Sequence, residues 1–149
     1  MSDVTGVIFR AAETPVDLED YFRLRRQVFV EEQKIFAATD VDEFDSGAVH
    51  LIALEELSGK VVGGVRVYRR EGDTWLGGRL AVDSAYRRSQ VGAKLVKLAI
   101  ETVKAAGCKE FFAYVQVQNV GFFERLGWRV RGRPVVYHGL SHQLMEASL

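Results

Sequence analysis

The chain has 149 residues, 48% of them hydrophobic, which suffices for one domain with its own core. Its 20 basic and 20 acidic residues balance, so charge does not favour nucleic acid or a membrane surface as a partner. The N-terminal residues lack the pattern of a secretory signal, no apolar stretch reaches membrane-spanning length, and the single cysteine, Cys108, excludes an intramolecular disulfide. We therefore expect one domain over residues 1–149 and a cytoplasmic location.

The first half of the chain predicts antiparallel strands with one helix inserted among them. A first strand is expected at residues 6–10, and a helix follows it. Thr14 suits the N-cap of that helix, Pro15 its first position and Asp17 its first turn. An acidic loop covers residues 39–47. Three further strands are predicted at residues 49–57, 61–70 and 74–82, with short connections that indicate antiparallel pairing.

The second half of the chain predicts a strand–helix–strand unit. Apolar residues at helical spacing indicate a long amphipathic helix from Val91 to about Ala106, closed by Gly107. A strand at residues 111–117, a short helix ending near Leu126 and a late strand at residues 135–138 follow. Hairpins followed by such a unit form a mixed α/β sheet, which is the expected fold class.

The connection between the strand at residues 74–82 and the long helix predicts an anion-binding site. A helix N-terminus carries unpaired backbone N–H groups and a partial positive charge, which bind phosphate readily. Arg87 and Arg88 add two full charges, and Gly92 lets a ligand approach the backbone without a Cβ in the way. The glycine patterns of P-loops and dinucleotide-binding folds are absent from the chain. We therefore expect a diphosphate at this turn.

Three segments carry a resemblance to a known family. Residues 87–92 read Arg-Arg-Ser-Gln-Val-Gly and resemble the pyrophosphate motif Arg-x-x-Gly-x-Gly/Ala of the GNAT superfamily of N-acetyltransferases, with Gln90 replacing the first glycine. Residues 119–128 are similar to the family's Phe-Tyr-Glu-x-Leu-Gly-Phe segment, and residues 25–33 resemble a stretch of its ElaA-like subgroup. Since the three follow the family's order across nearly the whole chain, the resemblance implies the GNAT fold, a mostly antiparallel sheet flanked by helices.

The resemblance also implies a site for acetyl-CoA. In the family the thioester lies beside the fourth strand, where a backbone N–H holds its carbonyl oxygen, and Val82 is our choice for that donor. Asn119 suits a contact with the pantetheine or adenosine part of the cofactor, or else caps the short helix. The other cofactor-binding residues carried over from the motifs are Leu80, Ala81, Arg87, Arg88, Gln90, Val91, Gly92, Ala93 and Phe123.

Proton transfer is the step at which the sequence departs from the family. Many members place a tyrosine at the position of Phe123 to protonate the CoA sulfur. Tyr137, Tyr114 or water could serve instead, or no dedicated acid is needed, and Tyr137 is our candidate. Glu32, at the end of the first helix, is the candidate base, with a solvated helix-end charge as its alternative role.

The three histidines carry no assigned chemistry. His138 and His142 are four residues apart, a spacing that can bind metal on a helix, but Gly139 between them argues against a helix there. His50 on its predicted strand is expected to be a hydrogen-bonded core residue. No metal is assigned.

The hairpin over residues 72–73 predicts that Arg66 lies directly opposite Arg79, on the same face of the sheet as Tyr68. Two facing arginines need a counter-charge. Either the acidic loop supplies it, through Asp42, Glu43 or Asp45, or Arg66, Tyr68 and Arg79 bind an anionic group of the substrate.

Together these observations predict an enzyme that transfers an acetyl group from acetyl-CoA to a primary amine by direct attack in a ternary complex. The acceptor is expected to be a small molecule, with neither nucleic acid nor membrane as a partner, and a homodimer is left open. The alternative is an acyl-CoA-binding sensor with weak or no catalysis, for which Phe123 and Gln90 are the supporting departures. A nucleotide-binding regulatory domain is a remote third option, without an adenine or ribose motif to support it.

Overall fold

The computed structural model describes residues 5–149 and contains a mixed sheet of eight strands. Its order is β1-β2-β3-β4-β5-β8-β6, and β7 also pairs with β8. β4 and β5 are parallel and every other pair is antiparallel, which confirms the predicted mixed, mostly antiparallel sheet. The strands are β1 (Val7–Ala11), β2 (Val49–Glu55), β3 (Val61–Glu71), β4 (Thr74–Val82), β5 (Glu110–Gln116), β6 (Arg129–Val130), β7 (Val135–Tyr137) and β8 (Leu140–Glu146).

Within the described part of the chain, three α-helices accompany the sheet: α1 (Pro15–Arg25), α2 (Val91–Ala105) and α3 (Val120–Arg125). Thr14 caps α1 as predicted, because its side chain accepts the N–H of Asp17 at 3.1 Å while the Asp17 carboxylate accepts the N–H of Thr14. A π-helical segment, Arg26–Glu32, continues α1 without a break. No helix among residues 5–149 is long and apolar enough to cross a membrane.

The core has two layers, one on each face of the sheet. The apolar stripe of α2 packs on one face, and its residues Val91, Leu95 and Val103 are fully buried. On the other face α1 buries Tyr21 and Leu24. The predicted apolar stripe of α2 and the buried face of α1 therefore point at the sheet from opposite sides.

The strand β8 was missed in the sequence, although it lies between β5 and β6 in the sheet. Its buried positions include His142, Gln143 and Glu146, so the apolar alternation that identifies a strand is interrupted. The late strand at residues 135–138 is confirmed as β7, which is short and exposed and pairs with β8.

Candidate functional site

A gap opens in the sheet between β4 and β5. The first half of β4 pairs in parallel with β5 as far as Gly77 and Ala113, and beyond that point β4 continues beside β3 alone. The N–H of Asp83 donates to the Val62 carbonyl of β3 at 2.8 Å. Since N–H groups alternate in direction along a strand, the N–H of the preceding residue, Val82, is directed away from β3 and into the gap. This orientation suits the predicted donor to a carbonyl oxygen.

A β-bulge shapes β4 beside the gap. The pairing passes from Arg66 opposite Gly78 to Gly64 opposite Ala81, which leaves an extra residue in β4. Arg79 lies at this irregularity with a φ of 53°, a left-handed conformation that residues other than glycine rarely adopt. The predicted direct pairing of Arg66 with Arg79 is wrong, because a separate irregularity between Arg69 and Glu71, next to the hairpin turn, already shifts the register and places Arg66 opposite Gly78.

The gap forms the middle of a cavity of about 520 Å³, a size typical of small-molecule sites. On the α2 face of the sheet it is lined by apolar side chains, among them Val96, Phe111, Phe123 and Trp128. On the opposite face it widens into what we call the aromatic chamber, lined by Phe29, Phe36, Phe44, Tyr68, Tyr114 and Tyr137. One continuous space therefore reaches both faces of the sheet through the gap.

The turn before α2 lies at the edge of this gap and presents the predicted N-terminus. Gln90 makes no capping hydrogen bond with its side chain, and the N–H of Val91 donates to the Ser89 hydroxyl at 3.2 Å. The next two N–H groups, of Gly92 and Ala93, are too near the helix start to have partners within it. A Cβ on Gly92 would lie 3.7 Å from its nearest neighbours, so packing alone does not require a glycine there.

Arg87 is held in place on this turn by two contacts. Its Nε donates to the Val82 carbonyl at 3.1 Å, and its Nη2 donates to the Glu32 carboxylate at 2.6 Å. Glu32, the predicted base, thus lies beside the turn and outside the lining of the cavity. Arg88 is exposed on the same turn.

Asn119 and Phe123 line the cavity from α3 and the turn before it. Asn119 occupies the N-cap position of α3, but its side chain makes no capping hydrogen bond, so the alternative role as a cap is wrong. Phe123 is 8% exposed and its ring meets that of Trp128 edge to face at 5.3 Å. Leu80 also lines the cavity, whereas Ala81 is buried against the α1 layer.

Arg66 and Arg79 both have carboxylate partners from the acidic loop. Arg66 donates from its two terminal nitrogen atoms to the Asp42 carboxylate, at 2.5 and 2.8 Å, and also lies 3.0 Å from Asp45. The Nη2 of Arg79 lies 3.2 Å from the Asp42 carboxylate and donates to the Asp40 carbonyl at 2.9 Å. The predicted neutralisation by the loop is confirmed for Asp42 and Asp45, with Asp40 in place of Glu43.

Arg25 completes this ion-pair network. It is fully buried and contacts the carboxylates of Asp40, at 2.6 Å, and Asp45, at 2.7 Å. Burial would raise the pKa of Asp45, but the hydrogen bonds and charge of Arg25 outweigh it and hold that pKa well below its usual range. Burial likewise opposes the lowering of the Asp42 pKa that Arg66 and Arg79 produce. Three arginines and three aspartates therefore neutralise one another beneath the chamber.

The sequence interpretation missed two features of the site. The aromatic chamber takes Phe44 from the predicted acidic loop and Phe36 from the residues before it, for which no element was predicted; an aromatic residue in an otherwise polar loop was the available signal. His142 was considered only as half of a metal pair, yet it is 6% exposed and lines the cavity beside Tyr137, ring to ring at 5.3 Å. Among residues 5–149 no group of three or more potential ligands is arranged to hold a metal ion.

Comparisons with known proteins agree with this geometry. A family model described as Acetyltransferase (GNAT) family matches residues 16–128. A Bacillus subtilis (strain 168) protein, which its name calls an acetyltransferase provisionally, is 33% identical over 132 residues, covering 87% of this chain and 88% of that protein. The crystal structure of Escherichia coli ElaA has a TM-score of 0.82 at 21% identity and covers 95% of this chain and 98% of its own. An aminoglycoside 6'-N-acetyltransferase complexed with coenzyme A has a TM-score of 0.73 at 18% identity, covering 93% and 95%.

Proposed function

The chain belongs to the acetyltransferase (GNAT) family, and from this membership we propose that it transfers the acetyl group of acetyl-CoA to the primary amine of a small-molecule acceptor. Membership supports acyl-CoA-dependent acyl transfer. The observation that carries the finer proposal is the cavity, which reaches both faces of the sheet through the gap beside β4. Two substrates entering from opposite faces would meet there, as direct transfer in a ternary complex requires.

Acetyl-CoA would bind along β4 and the turn before α2. The free N–H groups at the start of α2, together with Arg87 and Arg88, suit the diphosphate. The pantetheine part would follow the apolar opening on the α2 face, between Asn119 and the backbone of β4. The remaining residues proposed for this site are Leu80, Ala81, Gln90, Val91, Gly92, Ala93 and Phe123.

In the proposed reaction the nitrogen of the neutral amine attacks the thioester carbonyl, an N–C bond forms and the C–S bond breaks. The carbonyl oxygen gains negative charge during attack, and the N–H of Val82, directed into the gap, is the proposed donor to it. One amine proton leaves with the CoA sulfur. Tyr137, whose side chain lines the chamber, is the proposed acid, since Phe123 has no hydroxyl.

A second candidate function is an acyl-CoA sensor without catalysis. Phe123 supports it, because this residue stands where many family members have their acid. A sensor would bind acetyl-CoA but would not need a chamber for a second substrate. The continuous space on the far side of the gap therefore favours the enzyme.

The test is to incubate the protein with acetyl-CoA and a panel of primary amines, and to follow both free thiol and the mass of each amine. Transfer predicts thiol release that depends on an amine, with one acetyl group gained by that amine for each thiol. Thiol release without an acetylated amine would be hydrolysis and would contradict the proposal. Stabilisation by acetyl-CoA with no thiol release on any amine would instead identify the sensor.

A further inference from the structure

We propose, on the basis of this function, that the acceptor is an amine with an apolar body and no charged group besides the reacting nitrogen. The aromatic chamber provides the first argument. Phe44 and Tyr68 stack at 4.7 Å with an angle of 11° between their rings, and form one continuous apolar wall. Phe36 and Tyr137 bring further ring surface to the chamber. Such surfaces bind apolar and aromatic groups through area burial and ring stacking.

The charges of the chamber provide the second argument. Among residues 5–149, Asp42 alone supplies a carboxylate to the lining, and that carboxylate is bound to Arg66 and Arg79. An acceptor with a second ammonium group, such as a diamine or an aminoglycoside, would find no free carboxylate in this lining. An acceptor with a carboxylate would have to displace Asp42 from its arginines. A buried charge without a partner is strongly disfavoured, so either kind of acceptor is rejected.

Gly78 keeps the chamber open beside the reacting centre. It lies opposite Arg66 on the chamber face of β4, and a Cβ placed on it would meet no atom within 4 Å. Its neighbour Gly77 lies on the other face, where a Cβ would come within 2.9 Å of the Phe111 ring. A larger side chain at Gly78 would therefore fill acceptor space without disturbing the core, whereas one at Gly77 would disrupt packing.

The acceptor class is tested by calorimetric binding of amines to the protein saturated with CoA, in pairs that differ by one charge. The pairs are 2-phenylethylamine with L-phenylalanine, which adds a carboxylate, and hexylamine with 1,6-diaminohexane, which adds an ammonium group. We expect the member with the uncharged body to bind at least tenfold more tightly in each pair. Equal or tighter binding of a charged member, or no binding by any of the four amines, would overturn the proposal.

The variant Gly78→Leu tests whether the amine binds in the chamber. It should weaken binding of 2-phenylethylamine at least tenfold and leave the stabilisation by acetyl-CoA unchanged, with Gly78→Ala showing a smaller loss. Gly47→Leu is the matched control, since Gly47 also has open space around its Cβ position and lies outside the cavity. Unchanged amine binding in Gly78→Leu would contradict the chamber as acceptor site. If acetyl-CoA does not stabilise the unsubstituted protein at all, that result would instead contradict the proposed function.

A second, independent observation assigns a chemical role to His142. Its Nδ1 lies 2.9 Å from the backbone carbonyl oxygen of Leu140. A carbonyl oxygen can only accept a hydrogen bond, so this contact assigns the proton of the neutral imidazole to Nδ1 and its lone pair to Nε2. His142 pairs with Gln116 of β5 and Val135 of β7; it lies on the side of β5 opposite the gap, on the chamber face of the sheet, and lines the cavity.

The geometry points to Nε2 of His142 as the base that takes one proton from the acceptor's ammonium group. The ammonium N–H bond breaks, Nε2 gains the proton, and the neutral amine then attacks the thioester. The second proton released by the nitrogen leaves with the CoA thiol, and the histidine returns its proton to solvent. Among the residues that line the cavity, the titratable side chains on the two strands paired with β8 beside His142 are Tyr137 of β7 and Tyr114 of β5.

This role is tested with His142→Gln and two acceptors of one shape, 2-phenylethylamine and its β,β-difluoro analogue, whose ammonium group is far more acidic. With the first amine kcat should fall by about a hundredfold, the usual effect of removing a general base, while its KM stays within threefold. With the fluorinated amine, which is already largely neutral at pH 8, kcat should fall less than tenfold. Equal losses on both amines would show a structural role and overturn the assignment.

Discussion

The hydroxyl group of Tyr21 donates a hydrogen bond of 3.0 Å to the backbone carbonyl of Arg79 and thereby ties α1 to the bulge of β4. Tyr21 is fully buried, and burial raises the pKa of its hydroxyl, which keeps the donor protonated. The ring lies in space that Gly64 leaves free, since a Cβ on Gly64 would come within 2.3 Å of it. The unusual conformation of Arg79 is thus held by tertiary contacts.

Removing this hydrogen bond should loosen the bulge. Tyr21→Phe keeps the ring and leaves the Arg79 carbonyl without its donor, so we expect the free energy of unfolding to fall by about 1 kcal/mol in urea denaturation. Gly64→Ala should cost more, about 1–3 kcal/mol, because the added methyl group must displace the ring. Because the bulge lies beside Val82, kcat should fall in both variants. Full activity in Tyr21→Phe would show that the bulge does not depend on this contact.

The diphosphate site makes a prediction at Gly92. Gly92→Asp places a side chain and a negative charge where the diphosphate is proposed to bind, so the rise in Tm caused by acetyl-CoA should disappear. Gly92→Ala is the control, because its Cβ would lie 3.7 Å from Phe122 and Val82 and should be tolerated by the fold. A full shift in folded Gly92→Asp would show that the phosphates bind elsewhere.

The features that the sequence predicts correctly are local, and those that it misses depend on contacts between distant segments. The long helix α2 and the turn at residues 87–92 are local, because an apolar stripe and a motif each lie within one continuous segment. The bulge at Arg79 is not local, because the carbonyl of Arg79 accepts a hydrogen bond from Tyr21, 58 residues away. Register counted from the hairpin turn placed Arg66 opposite the wrong residue because of a second irregularity, between Arg69 and Glu71.

The chamber escaped prediction for a related reason. Its walls come from a loop, from β3 and from the β7–β8 hairpin, and nothing in any one segment indicates that these meet. The strand β8, which borders the chamber, was not predicted because buried polar residues such as His142 and Gln143 interrupt its apolar pattern. The pairing of the acidic loop with the arginines was foreseeable even though Arg66 does not face Arg79, because two arginines close together on one face of the sheet require a counter-charge.

The acid that protonates the departing sulfur is tested at two positions. Phe123→Tyr should leave kcat within about tenfold, since the proposed mechanism uses no hydroxyl at this position, whereas removing a true general acid costs about a hundredfold or more. If Tyr137 is that acid, Tyr137→Phe should lower kcat by this larger factor and leave acetyl-CoA binding intact. Little change in Tyr137→Phe across the pH range would show that thiolate departure is assisted by solvent.

Stability should fall on acidification because of the ion-pair network. The pKa values of Asp42 and Asp45 are lowered in the folded protein, so their contribution is complete above the unfolded pKa of about 4 and is lost as the pH falls below it. The urea midpoint should thus hold steady near neutral pH and drop in the acid range. Asp45→Asn should be less stable at pH 7 and show a shallower acid drop. Asp73→Asn, whose carboxylate is exposed and 4.0 Å from Lys109, should keep the full drop.

Arg79→Gln distinguishes a structural arginine from one that binds substrate. The substitution removes one of the two arginine partners of the Asp40 carboxylate, which is 2% exposed and keeps its contact with Arg25, so we expect the free energy of unfolding to fall by about 2 kcal/mol. A substrate-binding arginine would instead raise the KM of L-phenylalanine far more than that of its amide, because only the carboxylate loses a charge-assisted bond. We expect the ratio of these two KM values to stay constant, since Asp40 and Asp42 already occupy the guanidinium group. A tenfold change in that ratio, with the free energy of unfolding unaltered, would show that Arg79 binds the substrate.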